Sequence, residues 1–338
     1  MLSLKVSVVG AGVSGTTTAL MLQRMGYHVT IIAKHFPGDD WNSEFTSLYA
    51  EYDTVAFHAF KKLADTTPEA GVAYFKFIDY MDNEDDDLLP KPWFENLFLD
   101  FEEIAKDQLP VGSIYGCRYT SLTINSPKYL RWLFTSFTDL GGKFERRTLT
   151  HLHDAIGSGT PDVIVNCTGL AARFLDGVND ADVYPTRGQT VLAWAPQVKM
   201  ALSRYAKNTL TYIIPRENGE VILGGTMQDY NSDPAVDLTT ARTILERCEA
   251  LYPELTQGRG IESLKILRHN VGFRPSRKGG IRVETEVIDI ADKQVLICHN
   301  YGHGSMGYQS SWGTSAEAIK LIEKGVEQLK LALRKTKL

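Results

Sequence analysis

The sequence predicts an α/β protein: a parallel-sheet domain interleaved with a second domain built on a mixed or antiparallel sheet. Three observations carry this. The chain opens strand, glycine turn, helix, strand within about 30 residues, the order of a βαβ unit. Strand-like stretches crowd the part that follows Gly188. Buried-strand patterns also return at widely separated places, with no internal repeat or low-complexity linker to set the domains in series.

Leu4 to Val9, LKVSVV, is a β-branched run of the kind found in strands buried on both faces. It enters Gly10-Ala11-Gly12-Val13-Ser14-Gly15, after which TTTALMLQRMG reads as a helix ending at Gly26. HVTIIA, His28 to Ala33, is the next strand and completes a Rossmann-like unit. From Trp41 to roughly Asp139 the pattern is less periodic and reads as helix-rich. PDVIVNCTG, Pro161 to Gly169, returns to a buried strand before a glycine. Then come QTVLAW, TYIIP, EVILGG, KILRHNVGFRP and QVLICHN, all strand-like. A second glycine loop follows, and Ser315 to Lys335 is an amphipathic helix of strong helix formers.

At 338 residues the chain is long enough for two domains. A net charge of −5 supplies no basic field, which argues against nucleic acid as a partner. The acidic run Asp82 to Asp87 reads as a solvated loop, because calcium loops alternate their ligands and place a glycine at the turn. Cys117, Cys167, Cys248 and Cys298 are far apart, so reduced, buried thiols are expected and neither a disulfide framework nor a zinc site. No apolar run approaches the roughly 20 residues that span a bilayer. The first apolar run flows straight into the glycine loop, so an intracellular soluble protein is the expectation.

In G-x-G-x-x-G the first glycine permits the tight turn, the second admits a pyrophosphate and the third lets helix and strand pack closely. The helix N-terminus then offers unpaired N–H groups to phosphate. A dinucleotide is therefore expected on Gly10, Ala11, Gly12, Val13, Ser14 and Gly15. The loop does not choose between nicotinamide and flavin. Lys34 and His35 stand where an acidic ribose partner is usual, which leaves an NADP enzyme open on the motif alone. HNYGHGSMGYQSSWG, His299 to Gly313, holds no G-x-S-x-G, so no nucleophilic serine is expected. His299 and His303 lack a carboxylate or cysteine set and read as loop packing; no metal is expected.

Seven stretches, in order, resemble the D-amino-acid oxidase family, FAD enzymes that include D-aspartate oxidases, and most of all its fungal type. They are VVGAGVSG (Val8 to Gly15), VNCTGL (Val165 to Leu170), RGQT (Arg187 to Thr190), TYIIPR (Thr211 to Arg216), VILGGT (Val221 to Thr226), RHNVGFRPSRKGG (Arg268 to Gly280) and the C-terminal glycine loop. The resemblance implies a discontinuous FAD-binding domain, 1–50, 145–190 and 265–338, and a substrate-binding domain, 51–144 and 191–264. Beyond the first loop it implies FAD contacts from Lys34, His35, Thr46, Ser47, Leu149, Thr168, Gly169, Gly304, Ser305, Gly307, Tyr308 and Gln309.

For the substrate it implies Arg274 as the bidentate partner of the α-carboxylate and Tyr212 as a hydroxyl donor to it. Gln309 and Ser305 match positions near the amine and the flavin, and Met227 stands where an aromatic lid residue is usual. The implied reaction is hydride transfer from a D-amino acid to flavin, with dioxygen as reoxidant and 2-oxo acid, ammonia and hydrogen peroxide as products. Tyr212, Arg274 and Gln309 are its implied catalytic group. Thr336-Lys337-Leu338 approximates an S-K-L address, implying a peroxisomal import receptor as partner, with the cytoplasm as alternative. A homodimer is the assembly implied.

Two departures bear on this. Met227 has no hydroxyl, so a looser, more apolar pocket is expected. After TSLYA, Thr46 to Ala50, the chain passes directly to EYDTVAFHAF where the family has a longer segment over the flavin. The competing readings are a D-aspartate oxidase using Arg204 for the side-chain carboxylate, and a flavin-binding homologue with impaired catalysis.

Overall fold

A computed structural model describes residues 4–37, 50–82, 92–156, 161–207, 209–290 and 293–335. Thr46, Ser47, most of the acidic run and Thr336-Lys337-Leu338 lie outside the described residues. The strands are β1 (Lys5–Val9), β2 (His28–Ala33), β3 (Val72–Met81), β4 (Leu99–Glu103), β5 (Tyr115–Ile124), β6 (Lys143–Arg146), β7 (Val163–Asn166) and β8 (Val183–Trp194). They continue with β9 (Met200–Ala206), β10 (Thr209–Pro215), β11 (Glu220–Gly224), β12 (Gln228–Asp229), β13 (Lys265–Arg277), β14 (Arg282–Ile290) and β15 (Lys293–Tyr301). The helices are α1 (Val13–Arg24), α2 (Ala50–Thr66), α3 (Ser126–Asp139), α4 (Leu238–Leu251) and α5 (Ser311–Lys335).

The chain divides into two compact units. The first takes Met1–Ala59, Ser126–Pro185 and Arg274–Leu338; the second takes Phe60–Asn125 and Thr186–Phe273. In the first, the strand order is β14-β15-β7-β1-β2-β6, parallel except for the antiparallel β14–β15 pair. Every residue of β7 is buried, as a strand covered on both faces requires. Val9, Ile32, Ile164, Val295 and Ile297 join Leu152 and Leu175 in one cluster of this unit's core. Helix α1 packs on both α3 and α5. Its threonines Thr16, Thr17 and Thr18 are fully buried. Thr16 and Thr18 return their hydroxyls to the carbonyls of Gly12 and Ser14, which satisfies polar groups inside a buried helix.

The second unit is a nine-stranded mixed sheet, β12-β8-β11-β10-β9-β3-β5-β4, with β13 also paired to β8. Only β3–β9 is parallel among the pairs along that path. Asp237 caps α4 by accepting from Thr239 N–H at 2.9 Å. Ala241, Ile244, Leu245 and Cys248 of α4 then join Val191, Ile213 and Leu223 in the core.

The structure corrects two readings of the sequence. The stretch read as helix-rich contains β3, β4 and β5 as well as α2 and α3. β5 buries Cys117, Tyr119, Ser121 and Thr123 on one face, but two of these are polar, and β3 is mostly half-buried, so neither shows a hydrophobic period of two. Helix α5 begins at Ser311 rather than near Ser315, so the last residues of the glycine loop are helical. Helix α3 belongs to the first unit. No helix among the described residues is long and apolar enough to cross a membrane.

Candidate cofactor and substrate site

The glycine turn between β1 and α1 sorts its three glycines by what each avoids. Gly10 has φ +110°, and a Cβ there would stand 2.5 Å from the Cys167 carbonyl oxygen. A Cβ on Gly15 would meet the Gly10 carbonyl oxygen at 2.1 Å. Those two glycines are demanded by the protein itself. A Cβ on Gly12 would meet nothing within 4 Å. Gly12 is also the N-cap of α1, and no side chain caps that helix. The turn thus leaves an open cradle at a bare helix N-terminus, flanked by Ala11, Val13 and Ser14, which fits the pyrophosphate of FAD.

The C-terminal glycine loop comes to the same place. A Cβ on Gly307 would lie 3.7 Å from Val13 Cγ1 in the first turn of α1. Ser315 Oγ stands 2.9 Å from Thr18 Oγ1, and Asn300 Nδ2 donates to that same oxygen at 3.3 Å. Two glycine-rich segments from opposite ends of the chain therefore border one helix. Gly302 and Gly304 hold left-handed conformations, φ +85° and +56°. Ser305 is half-buried and Tyr308 buried.

Thr168 and Gly169 follow β7, the strand between β1 and β15. Asn166 Oδ1 accepts from Thr168 N–H at 3.2 Å and from Thr168 Oγ1 at 2.7 Å. That fixes the amide, so Nδ2 donates to His299 Nδ1 at 3.1 Å. The ring then carries its proton on Nε2, which donates to Glu286 Oε1 at 2.9 Å. Burial holds His299 below the usual histidine range, consistent with a neutral ring. His303 is buried with Nε2 3.2 Å from Thr314 Oγ1, and burial pushes it down to about 4. His303 packs the loop, whereas His299 belongs to β15 and is held by β7 and β14; no metal-binding cluster occurs among the described residues.

At the far end of β2, Lys34 and His35 are exposed. The Lys34 carbonyl accepts from Arg146 Nη1 at 3.1 Å. Arg147 N–H bonds the Ala33 carbonyl at 2.9 Å, and its buried Nη2 has no hydrogen-bond partner. It is a donor at this strand end that the sequence reading missed. Leu149 is half-buried against the core of this unit.

Arg274 is 3% exposed, an arginine sunk in the protein. Just beyond it, Arg277 Nε donates to Asp180 Oδ2 at 2.8 Å, and Tyr301 Oη donates to the same oxygen at 2.7 Å. Burial raises the Asp180 carboxyl, but Arg277 and Tyr301 override it and the net direction is down. This ionised knot ties the end of β13 to the start of the glycine loop. Gln309 Nε2 donates to Asp53 Oδ2 at 2.8 Å. Asp53 is 3% exposed, and burial pushes it up to about 7. The sequence reading missed Asp53, although it stands as a lone acid on the stripe of α2 that carries buried Ala56 and Phe60.

In the second unit Tyr212 on β10 lies opposite Gly224 of β11. A Cβ on Gly224 would be 2.2 Å from the Tyr212 ring, and one on Gly225 would be 2.6 Å from its hydroxyl. The tyrosine lies across the two glycines. Met227, next along, is 53% exposed. The segment after it is held by the RGQT motif: Arg187 donates to Gln228 Oε1 at 3.0 Å and to the Asp233 carbonyl at 2.8 Å. Gln189 exchanges bonds with Asp237, Nε2 to its carbonyl and Oε1 from its N–H. Arg204 is already engaged: its Nε lies 2.7 and 3.0 Å from the two Asp82 oxygens, and Nη2 donates to the Val111 carbonyl.

A family model described as FAD dependent oxidoreductase matches residues 68–321. A D-amino-acid oxidase of Schizosaccharomyces pombe is 38% identical, over 96% of this chain and 97% of its own. A D-aspartate oxidase of Talaromyces thermophilus is 28% identical over 94% and 95%. The fold is similar to glycine oxidase from Bacillus cereus, with a TM-score of 0.74 over 96% of each chain at 19% identity.

Proposed function

The chain belongs to the D-amino-acid oxidase family of FAD-dependent oxidoreductases, and from that premise we propose that it oxidises D-amino acids with neutral side chains to 2-oxo acids, ammonia and hydrogen peroxide. The observation that carries the activity is the 38% identity to a D-amino-acid oxidase across nearly the whole length of both chains. The open cradle at Gly12 supports FAD as the cofactor.

Gly10 to Gly15 would hold the pyrophosphate, with Thr168, Gly169 and the Gly304 to Gln309 segment nearer the ring system. Bound FAD supplies the two-electron acceptor. The protein's own work is orientation and electrostatics. Arg274 grips the α-carboxylate with its planar fork, and its burial strengthens that charge pairing. Tyr212 donates its hydroxyl to the carboxylate. Ser305 and Gln309 receive the amine, which is neutral when the Cα–H leaves, so no protein base is needed. Met227 offers a flexible apolar side chain where the family usually has an aromatic one, which suits small neutral substrates. Arg204 has no part in this reading, because Asp82 occupies it. Delivery to the peroxisome through Thr336-Lys337-Leu338, and a homodimeric assembly, complete the proposal.

The test is the visible spectrum of the purified protein under anaerobic conditions. A yellow protein bleached by D-alanine and not by L-alanine supports flavin, stereochemistry and electron transfer together. Bleaching by D-aspartate alone would move the substrate class to acidic side chains. A yellow protein bleached by neither would support the impaired homologue, and failure to bind FAD would overturn the oxidase reading.

A further inference from the structure

Asp53 and Gln309 form a buried pair drawn from opposite ends of the sequence. One carboxylate oxygen, Oδ2, accepts from Gln309 Nε2 at 2.8 Å. The other, Oδ1, is buried and has no hydrogen-bond partner. Gln309 itself is half-buried.

We propose that Asp53 is a positioning residue for the oxidation: it fixes the Gln309 amide so that the carbonyl oxygen, Oε1, is the end offered to the substrate amine. The inference rests on Gln309 lying at the amine, as read above. An ionised carboxylate only accepts hydrogen bonds, so it demands the NH₂ end of the amide. The amide is planar, and turning Nε2 to Asp53 turns Oε1 away from it. An amine presents N–H donors, for which that carbonyl is the matching partner. A flipped amide would offer it two more donors instead.

Protonation of Asp53 from solvent removes the constraint, because a carboxylic acid both donates and accepts. Its ionisation is governed first by burial and then by the Gln309 bond. The other titratable groups on the elements around it are Glu51, Tyr52, His58, Lys61, Lys62 and Asp65 on α2 and His303 and Tyr308 in the glycine loop. Amine recognition should therefore weaken as the pH falls below about 7.

The test uses the FAD-loaded enzyme. kcat/KM for D-alanine is followed across pH, the acid limb being the added steepening below about 7 over the slope that protonation of the substrate amine itself imposes on every variant, and the dissociation constant of propionate, which has the carboxylate but no amine, is read from the flavin spectrum. Expected for D53N is a fall of about tenfold in kcat/KM at pH above 7, the scale of one strong hydrogen bond, with loss of the acid limb. Propionate binding should stay within about twofold of the wild type, since no amine is present to sense the amide. An acid limb that survives in D53N overturns the proposal, as does an equal loss of propionate and D-alanine. Should D53N fail to load FAD, Q309L answers the same question, because Asp53 then has no amide to orient; an acid limb that persists there overturns it too. A wild-type enzyme that no D-amino acid bleaches would instead sink the oxidase reading itself, so the two failures are distinct.

Discussion

Gly224 and Gly225 carry no side chain because the Tyr212 ring takes the space. A methyl on Gly224 would stand 2.2 Å from a ring carbon, and a packed aromatic cannot yield that distance without leaving its rotamer. G224A should therefore lower stability by about 1–3 kcal/mol and displace Tyr212. Thermal unfolding and kcat/KM for D-alanine, measured together, check this; an unchanged KM would argue against a substrate role for Tyr212. In the sequence the pair was visible only as part of a resemblance, and the reason for it was not. Asp53 shows the opposite limit. Its place on an apolar stripe could be read from α2, but its partner is 256 residues away, and no local pattern announces a contact of that range.

The elements that the sequence made legible are those with strong local chemistry. The buried parallel strands, the glycine turn and the amphipathic α5 each follow from residue type and spacing. β3, β4 and β5 did not, because their aromatics, Phe77, Phe101 and the buried Tyr119, meet one another only once the folded sheet brings them alongside. The same local chemistry separates two glycines of one turn. G15A places a methyl 2.1 Å from the Gly10 carbonyl oxygen, backbone that cannot move freely, so it should destabilise the protein with or without cofactor. G12A places one in open space, at φ −72°, and should cost the apoprotein no more than about 1 kcal/mol as a poorer N-cap. Yet that methyl projects where the pyrophosphate would lie, and FAD affinity should drop by tenfold or more, about 1.4 kcal/mol. Flavin fluorescence titration beside apoprotein melting distinguishes the two variants. Equal FAD affinity for G12A and wild type would move the pyrophosphate elsewhere.

Across the whole molecule, carboxylates shifted in opposite directions set how stability follows pH. Asp180 has its carboxyl held down by Arg277 and Tyr301, so it stabilises the fold above the unfolded value of 3.8 and that help is lost as pH falls through its lower folded value. Asp53 works the other way. Burial raises it from 3.8 to about 7, so between those values the native state binds a proton that the unfolded chain has released. Stability then falls as pH rises through that window and levels off above it. The ionised Asp53 costs the fold on the order of 2–4 kcal/mol at pH 8, from about 1.4 kcal/mol per pKa unit. D53N removes the titration while keeping the shape. Denaturant unfolding should find the two proteins alike near pH 4, with D53N pulling ahead by that amount at pH 8. Parallel curves for wild type and D53N would show that Asp53 does not titrate between 3.8 and 7 in the folded protein. A variant more stable and less active at the same pH is what a carboxylate held for catalysis rather than for folding requires, since the burial that makes it costly is also what makes it hold Gln309.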